Sequence, residues 1–389
     1  MPKLLVNDHC LCRPATGVAV YLRNVLAHWP ANARMEPEGF WTNLRPPAEP
    51  PGSGPQYAPF ALVPLSRLKR PTSIVARLWW ARHILQQTRG RAFSQRFRRK
   101  GFAASFEPNH LAFACDGPTV TTVHDLSVLE QPMWHPSDRV RQWQMSLSGT
   151  IAATTHWIAV SNFTARRMVA LLAIPRRKIA VIPSAARPLR YPPPERMPAL
   201  KSSLRLPEKY LLHLGTLEPR KNLRVLLDAW RTLPELTRQE CKLVLAGGLG
   251  WGRPEFWRQL AEHPSAAEVL TTGYVWDDQA ACLLAGATAL VLPSRYEGFG
   301  LPILEAMACG APVISSTAEA LVETAAGAAE FVPADDAGAW AAAMQRAIAD
   351  ESWRRSMAQA GKTRAGEFSW RICAEAHARV MAQAAGVES

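Results

Sequence analysis

Two glutamates eight positions apart, Glu297 and Glu305, stand in a stretch of mostly apolar and small residues. Residues 289–316 read Ala-Leu-Val-Leu-Pro-Ser-Arg-Tyr-Glu-Gly-Phe-Gly-Leu-Pro-Ile-Leu-Glu-Ala-Met-Ala-Cys-Gly-Ala-Pro-Val-Ile-Ser-Ser. A second chemical feature is the cation pair Arg220-Lys221, placed at the entry of an apolar-periodic helix expected over 223–233. Cations there oppose the helix dipole. An anion lodged between them and the helix end removes that conflict, so the pair points to a phosphate site rather than to two solvated cations. A third is His124-Asp125, which ends the β-branched run Thr-Val-Thr-Thr-Val. A His at the carboxyl end of a parallel strand lies where ligands bind; the other reading is a hydrogen-bonded partner with no ligand. Gly17, after a polar loop and before an amphipathic run, either admits a phosphate to a helix start or serves the turn alone.

These side chains need elements to hold them. The run 289–292 is too short for a helix and is bounded by Pro293 and Ser294, so it reads as a buried strand. Pro302 suits a helix start, the helix is expected over 303–309, and Gly310 is placed to end it. Residues 311–315 read as the next strand. Glu297 therefore falls in a loop and Glu305 in the first turns of a helix. Further strands are expected at 3–6, 118–125, 158–161, 178–183, 210–215, 242–246 and 268–274, with helices over 19–29, 163–172, 223–233 and 278–285 and later ones over 334–349, 351–360 and 371–385. The prolines at 188, 192–194 and 198 mark a linker. Two βα arrays separated by a Pro-rich linker predict an α/β protein of two doubly wound domains with a site in the cleft between them.

The chain has 389 residues, is 48% hydrophobic and carries a net charge of +13, which favours an acidic partner. Its seven Cys are odd in number and spread out, so a reducing compartment is expected and no disulfide framework. Cys10 and Cys12 have no second pair at metal-ligand spacing and read as structural. The first residues lack a signal-peptide core, and no apolar run approaches a membrane span. The expected location is the cytoplasm, in solution or peripheral on the inner face of the plasma membrane. Residues 45–59 read as a loop. From Pro50 to Phe106 there is no acidic residue, while Arg67, Lys69, Arg70, Arg77, Arg82, Arg89, Arg91, Arg96, Arg98, Arg99 and Lys100 alternate with apolar and aromatic side chains. Over 67–100 this is either a membrane-facing basic amphipathic helix or a core-facing helix with a solvated basic face. No nucleic-acid motif accompanies the charge, so nucleic acid is not an expected partner.

With these residues in view, the chain resembles the retaining glycosyltransferases of family 4, which have the GT-B fold. Glu297-Gly-Phe-Gly-Leu-Pro-Ile-Leu-Glu305 is similar to that family's two glutamates separated by seven residues. Gly215-Thr-Leu-Glu-Pro-Arg-Lys-Asn222 resembles its diphosphate-binding loop. Thr121-Thr-Val-His-Asp-Leu, Ala159-Val-Ser-Asn-Phe and Thr16-Gly17 resemble N-terminal signatures, and Phe368-Ser-Trp370 resembles the start of a helix that crosses back to the N-terminal domain. The resemblance implies an N-terminal Rossmann-like acceptor domain over 1–187, a linker over 188–206, a donor domain over 207–369 and a returning helix over 370–389. It further implies Arg220, Lys221, Glu297 and His124 as catalytic residues, and Gly17, Gly215, Gly298, Phe299, Gly300, Leu301 and Glu305 as donor-binding residues. Glu297 is implied at the donor sugar's hydroxyls and Glu305 at the ribose, where a carboxylate suits a vicinal diol.

The resemblance implies no metal or other cofactor, because in that family the Arg–Lys pair usually makes a bound metal unnecessary, and no Asp-x-Asp signature stands near a strand end. The motifs are most similar to bacterial mannosyltransferases of surface polysaccharide assembly. They imply transfer of mannose from GDP-mannose to a lipid-linked or glycan acceptor. The rival readings are an inactive glycosyltransferase-like binding protein and a sugar-nucleotide epimerase on the same fold. One departure is Ser184-Ala185, where the family usually has Asn-Gly.

Overall fold

A computed structural model describes residues 1–12, 17–42, 44, 62–67 and 79–387, with the backbone alone for 79–86. The loop expected over 45–59, Thr16 and the part of the basic stretch at 68–78 lie outside the described residues.

In chain order the strands are β1 (Lys3–Val6), β2 (Glu36–Gly39), β3 (Val63–Pro64), β4 (Ala104–Glu107), β5 (Thr119–Val123), β6 (Thr154–Ala159), β7 (Ile179–Val181), β8 (Lys209–Leu214), β9 (Cys241–Ala246), β10 (Leu270–Gly273), β11 (Ala289–Leu292), β12 (Val313–Ser316) and β13 (Glu330–Val332). They form two sheets. The first has the order β2-β1-β4-β5-β6-β7 and the second β13-β12-β11-β8-β9-β10-β3. Apart from the β10–β3 pair, which is antiparallel, the pairings are parallel. Helices cover both faces of such sheets, which is why most of their strands read as continuous apolar runs rather than as alternations. β11, for example, is buried at all four positions.

Strand order reverses between β1 and β4 in the first sheet and between β8 and β11 in the second. Ligand crevices form beside the carboxyl ends of strands at such reversals. The second reversal explains why the Arg220-Lys221 loop and the Glu297 loop meet: one follows β8 and the other follows β11. The helix Leu223–Thr232 then leaves the first of these loops with Leu223, Leu226, Leu227 and Trp230 fully buried along one stripe.

Some boundaries differ from the sequence expectation. The helix after the glutamate loop begins at Leu301, with Pro302 one position inside it. The helix expected from 334 begins at Ala337, where the Asp336 side chain accepts from Ala339 N at 2.9 Å and caps it. The linker holds a short helix, Met197–Ser203. β3 comes from the stretch assigned to the N-terminal domain yet forms the edge of the second sheet. Leu65 beside it is fully buried among Leu245, Val269 and Leu260 of the second core, and its N–H donates to Val269 O at 2.8 Å.

The last helix, Trp370–Ala384, packs on the helix Gly17–Ala27 and on β4 to β6, as expected of a segment that crosses back. Trp370, Cys373 and Met381 share a core with Leu4, Val6 and Leu22. The Trp370 indole N–H donates to Ala186 O at 2.7 Å. Tyr21 O–H bonds to Thr122 Oγ1 at 2.9 Å and closely to His377 Nε2, whose Nδ1–H donates to Cys373 O. Ser184 and Ala185, the departing residues, are both buried at the junction, Ala185 in that same core.

The two halves meet along one side of the cleft. Gly298 O accepts from Ser161 Oγ at 2.6 Å and from Thr164 Oγ1 at 3.2 Å. The Glu323 carboxylate accepts from Asn162 N at 2.7 Å and Phe163 N at 2.9 Å, so a side chain of the second half caps the helix Asn162–Leu172 of the first.

Candidate active site

At the carboxyl end of β8 the chain makes a short turn, Pro219–Lys221, and Asn222 takes a left-handed conformation before the next helix. Arg220 and Lys221 are thereby turned inward. Their sequence position points to a phosphate; in this structure the anion that meets them is Glu297. Arg220 Nη1 donates to Glu297 Oε2 at 2.7 Å, Lys221 Nζ donates closely to Oε1, and Ser294 Oγ donates to Oε1 at 2.8 Å. Arg220 Nε also bonds closely to Glu218, and its Nη1 reaches Tyr296 O at 3.1 Å. Burial pushes the Glu297 carboxyl up, but Arg220 and Lys221 outweigh it and bring it down to about 2. Burial likewise opposes the Arg220 charge, and Glu297, Glu218 and Asp125 more than restore it. Beneath Gly215, His213 is fully buried; burial and the Lys221 charge lower it to about 4, so it is neutral at pH 7.

Across the cleft stands the end of β5. Burial lowers His124, which is neutral, and its Nε2–H donates to Pro108 O at 2.7 Å. The carbonyl can only accept, so Nδ1 carries the lone pair. The His124 ring meets Tyr21 edge-on, with centroids 4.8 Å apart. Asp125 accepts from Ser127 N at 3.0 Å and Ser127 Oγ at 2.7 Å. Burial opposes its charge, but Arg220 from the other half holds it well below the usual carboxylate range. Arg139 caps this wall, its guanidinium 4.4 Å from the centroid of the Trp251 ring.

The glycine loop joins the two walls. A Cβ on Gly298 would lie 1.6 Å from His124 O, so the loop backbone touches the opposite half directly and no other residue fits. Gly300 has φ +99°, and a Cβ there would stand 2.6 Å from Leu321 Cδ2. Its left-handed turn starts the helix at Leu301. Phe299 is buried against the ring of Phe368, and its carbonyl accepts from Thr324 Oγ1 at 2.6 Å. Gly17 opens its helix with open space where a Cβ would be.

Glu305 lies just over one turn into the helix Leu301–Cys309, and its carboxylate is fully engaged by a residue that no sequence pattern singles out. Arg187 Nε donates to Oε1 at 2.5 Å and Nη2 to Oε2 at 2.9 Å, while Nη1 reaches Asp277 at 2.8 Å. Thus Arg220, Lys221 and Glu297 are brought together, His124 meets the glycine loop through its backbone while its ring packs on Tyr21 and His110, and Glu305 sits apart with Arg187. Among the described residues no group of three His, Cys, Asp or Glu is arranged to hold a metal ion.

Known proteins share this arrangement of chain. The model of Glycosyltransferase Family 4 matches residues 15–187, and that of glycosyl transferases group 1 matches 199–364. O-antigen chain mannosyltransferase B of Escherichia coli is 36% identical over 256 residues, 65% of this chain and 67% of that protein. The chain belongs to the family 4 glycosyltransferases. The serotype-specific mannosyltransferase WbdA of E. coli is 29% identical over 259 residues, but the match spans only 32% of its length. Among solved structures, sucrose-phosphate synthase of Thermosynechococcus elongatus superposes with a TM-score of 0.71 at 22% identity, covering 98% of each chain. HepE of Anabaena, in complex with UDP-glucose, gives 0.70 at 18% identity, covering 98% of this chain and all of that one. These likenesses establish the GT-B fold for this glycosyltransferase.

Proposed function

We propose that this glycosyltransferase is a retaining hexosyltransferase that moves mannose from GDP-mannose to a lipid-linked or polysaccharide acceptor. The observation that carries the reading is the buried cluster of Arg220, Lys221 and Glu297 at the strand-order reversal of the second sheet, with Asp125 of the first half near enough to feel the Arg220 charge. The names of the E. coli relatives support mannose.

The chemistry asks for two things. The bond from the sugar's anomeric carbon to the diphosphate must break, and negative charge grows on the departing oxygen. Arg220 and Lys221 are already fixed by burial and need little reorganisation, so they meet that charge as preorganised donors; one such donor contributes roughly 3 kcal/mol to lowering a barrier. In the cluster the two cations are balanced by Glu297 and Glu218. Donor binding is therefore an exchange: the cations turn to the phosphates, and Glu297 turns to the sugar hydroxyls beside Gly298, Phe299 and Gly300. The helices beginning at Gly17 and Leu301 add their N-terminal ends. Neutral His124 approaches the sugar near its reactive end. The acceptor oxygen attacks the anomeric carbon from the face the diphosphate leaves, and the departing phosphate oxygen takes the acceptor's proton. No metal and no covalent enzyme intermediate is required. Glu305 holds the ribose, and Gly215 and Leu301 flank the nucleotide.

A transfer assay tests this. The protein is mixed with an oligosaccharide-lipid acceptor and either GDP-mannose, UDP-glucose or UDP-galactose; products are weighed by mass spectrometry and their anomeric configuration is read by NMR. One added hexose from GDP-mannose, with the donor's anomeric configuration kept, supports the proposal. Consumption of the donor without acceptor favours an epimerase. Undiminished transfer by Glu297→Ala removes the proposed role of the cluster.

A further inference from the structure

The donor reading gives Glu305 to the ribose, and the present inference rests on that reading. In the structure both Glu305 oxygens already accept from one group. Arg187 forks onto them through Nε and Nη2 at 2.5 and 2.9 Å, and the two side chains are only 15% and 3% exposed. The backbone of Glu305 is fixed as well, since Tyr191 O–H donates to its carbonyl at 2.8 Å. A vicinal diol and a guanidinium make the same demand on a carboxylate: two donors, side by side, one to each oxygen. They cannot both take the in-plane fork.

A buried arginine stripped of its only partner would be costly. Arg187 has a second one. Its Nη1 donates to Asp277 Oδ1 at 2.8 Å, in the first turn of the helix Asp277–Gly286, and that carboxylate is half exposed. Release of Glu305 therefore leaves the guanidinium paired and able to move outward with Asp277. Arg187 also lies on the chain between β7 and the second sheet, next to Ala186, whose carbonyl is held by Trp370. The fork thus stands where the chain passes from one domain to the other.

We infer that Arg187 is a competitor built into the ribose seat, which holds Glu305 closed until the diol of a nucleoside diphosphate displaces it onto Asp277. Apparent nucleotide affinity is then lowered by the fraction of molecules whose seat is closed. Arg187 determines specificity for the nucleoside part of the donor: a ligand must offer a diol to open the seat, and one without ribose is indifferent to it.

Calorimetric titration of the full chain with GDP, UDP and inorganic pyrophosphate tests the inference. Arg187→Ala should bind the nucleoside diphosphates about tenfold more tightly, a gain near 1.4 kcal/mol, and bind pyrophosphate as the wild type does. Arg187→Lys keeps the charge without the fork and should fall between; it decides the matter where Arg187→Ala does not fold. Nucleoside diphosphate binding that is unchanged or weaker in both variants overturns the inference, as does equal tightening for pyrophosphate. Glu305→Gln in the Arg187→Ala background separates the two layers. Loss of the gain supports both. No effect of Glu305→Gln on nucleotide affinity overturns the ribose assignment itself, whereas weakening by Glu305→Gln without tightening by Arg187→Ala overturns only the role of Arg187.

Discussion

Glu297 is buried deeply enough to be pushed toward neutrality, yet Arg220 and Lys221 hold it at about 2 against its ordinary 4.5. A carboxyl depressed on folding stabilises the protein above its unfolded value, and that contribution fades as pH falls from about 4.5 toward 2. Urea unfolding should therefore show Glu297→Gln less stable than wild type at pH 7 by about 3 kcal/mol, because two buried cations lose their partner. The gap should narrow steadily below pH 4.5. A gap independent of pH down to 2.5 would mean that the carboxylate charge is not what the cations hold. The identities of these residues were legible in the chain because they violate local rules: cations at a helix start and glutamates in an apolar stretch. Their partners were less so. Arg187 meets Glu305 across 118 positions from within a Pro-rich segment, and no local pattern announces such a fork.

Elements were legible where a single period dominates. β11 and the glutamate helix are short, apolar and punctuated by Pro and Gly, and both fell within two residues of expectation. What escaped were pieces held by distant contacts. β3 is two residues long and exists because β10 offers an open edge and a pocket for Leu65. The cap on the helix Asn162–Leu172 combines Ser161, its neighbour in sequence, with Glu323 from the other domain, which no local pattern announces. Glu323→Ala should lower stability by about 1 kcal/mol, the usual worth of a cap. Glu323→Gln, with one acceptor oxygen left, should lose about half as much. Thermal unfolding measures both, and an unchanged midpoint for Glu323→Ala would show that solvent replaces the cap without loss.

For the molecule as a whole, the two doubly wound domains followed from the βα alternation and the Pro-rich linker, whereas the returning helix followed from the family resemblance of Phe368-Ser-Trp370. The basic stretch did not resolve so simply. In its described part, Phe93 and Phe97 of the helix Trp79–Lys100 pack into the core. Arg96 and Lys100 pair with Glu38, and Arg98 with Asp116. The acid-free run thus finds its acids elsewhere in the chain, which is the core-facing reading for that part. Arg91 and Arg99 remain exposed, and no helix among the described residues is long and apolar enough to cross a membrane. If the exposed cations dock the enzyme, sedimentation should recover it with vesicles containing anionic lipid and release it as salt rises; equal recovery on neutral vesicles contradicts docking by charge. The proposed stabilisation of a departing diphosphate by Arg220 and Lys221 is read from kcat for mannose transfer from GDP-mannose by Lys221→Met. If they do stabilise it, kcat falls roughly 100-fold or more with the fold retained by circular dichroism. A folded Lys221→Met enzyme that transfers at the wild-type rate would contradict it.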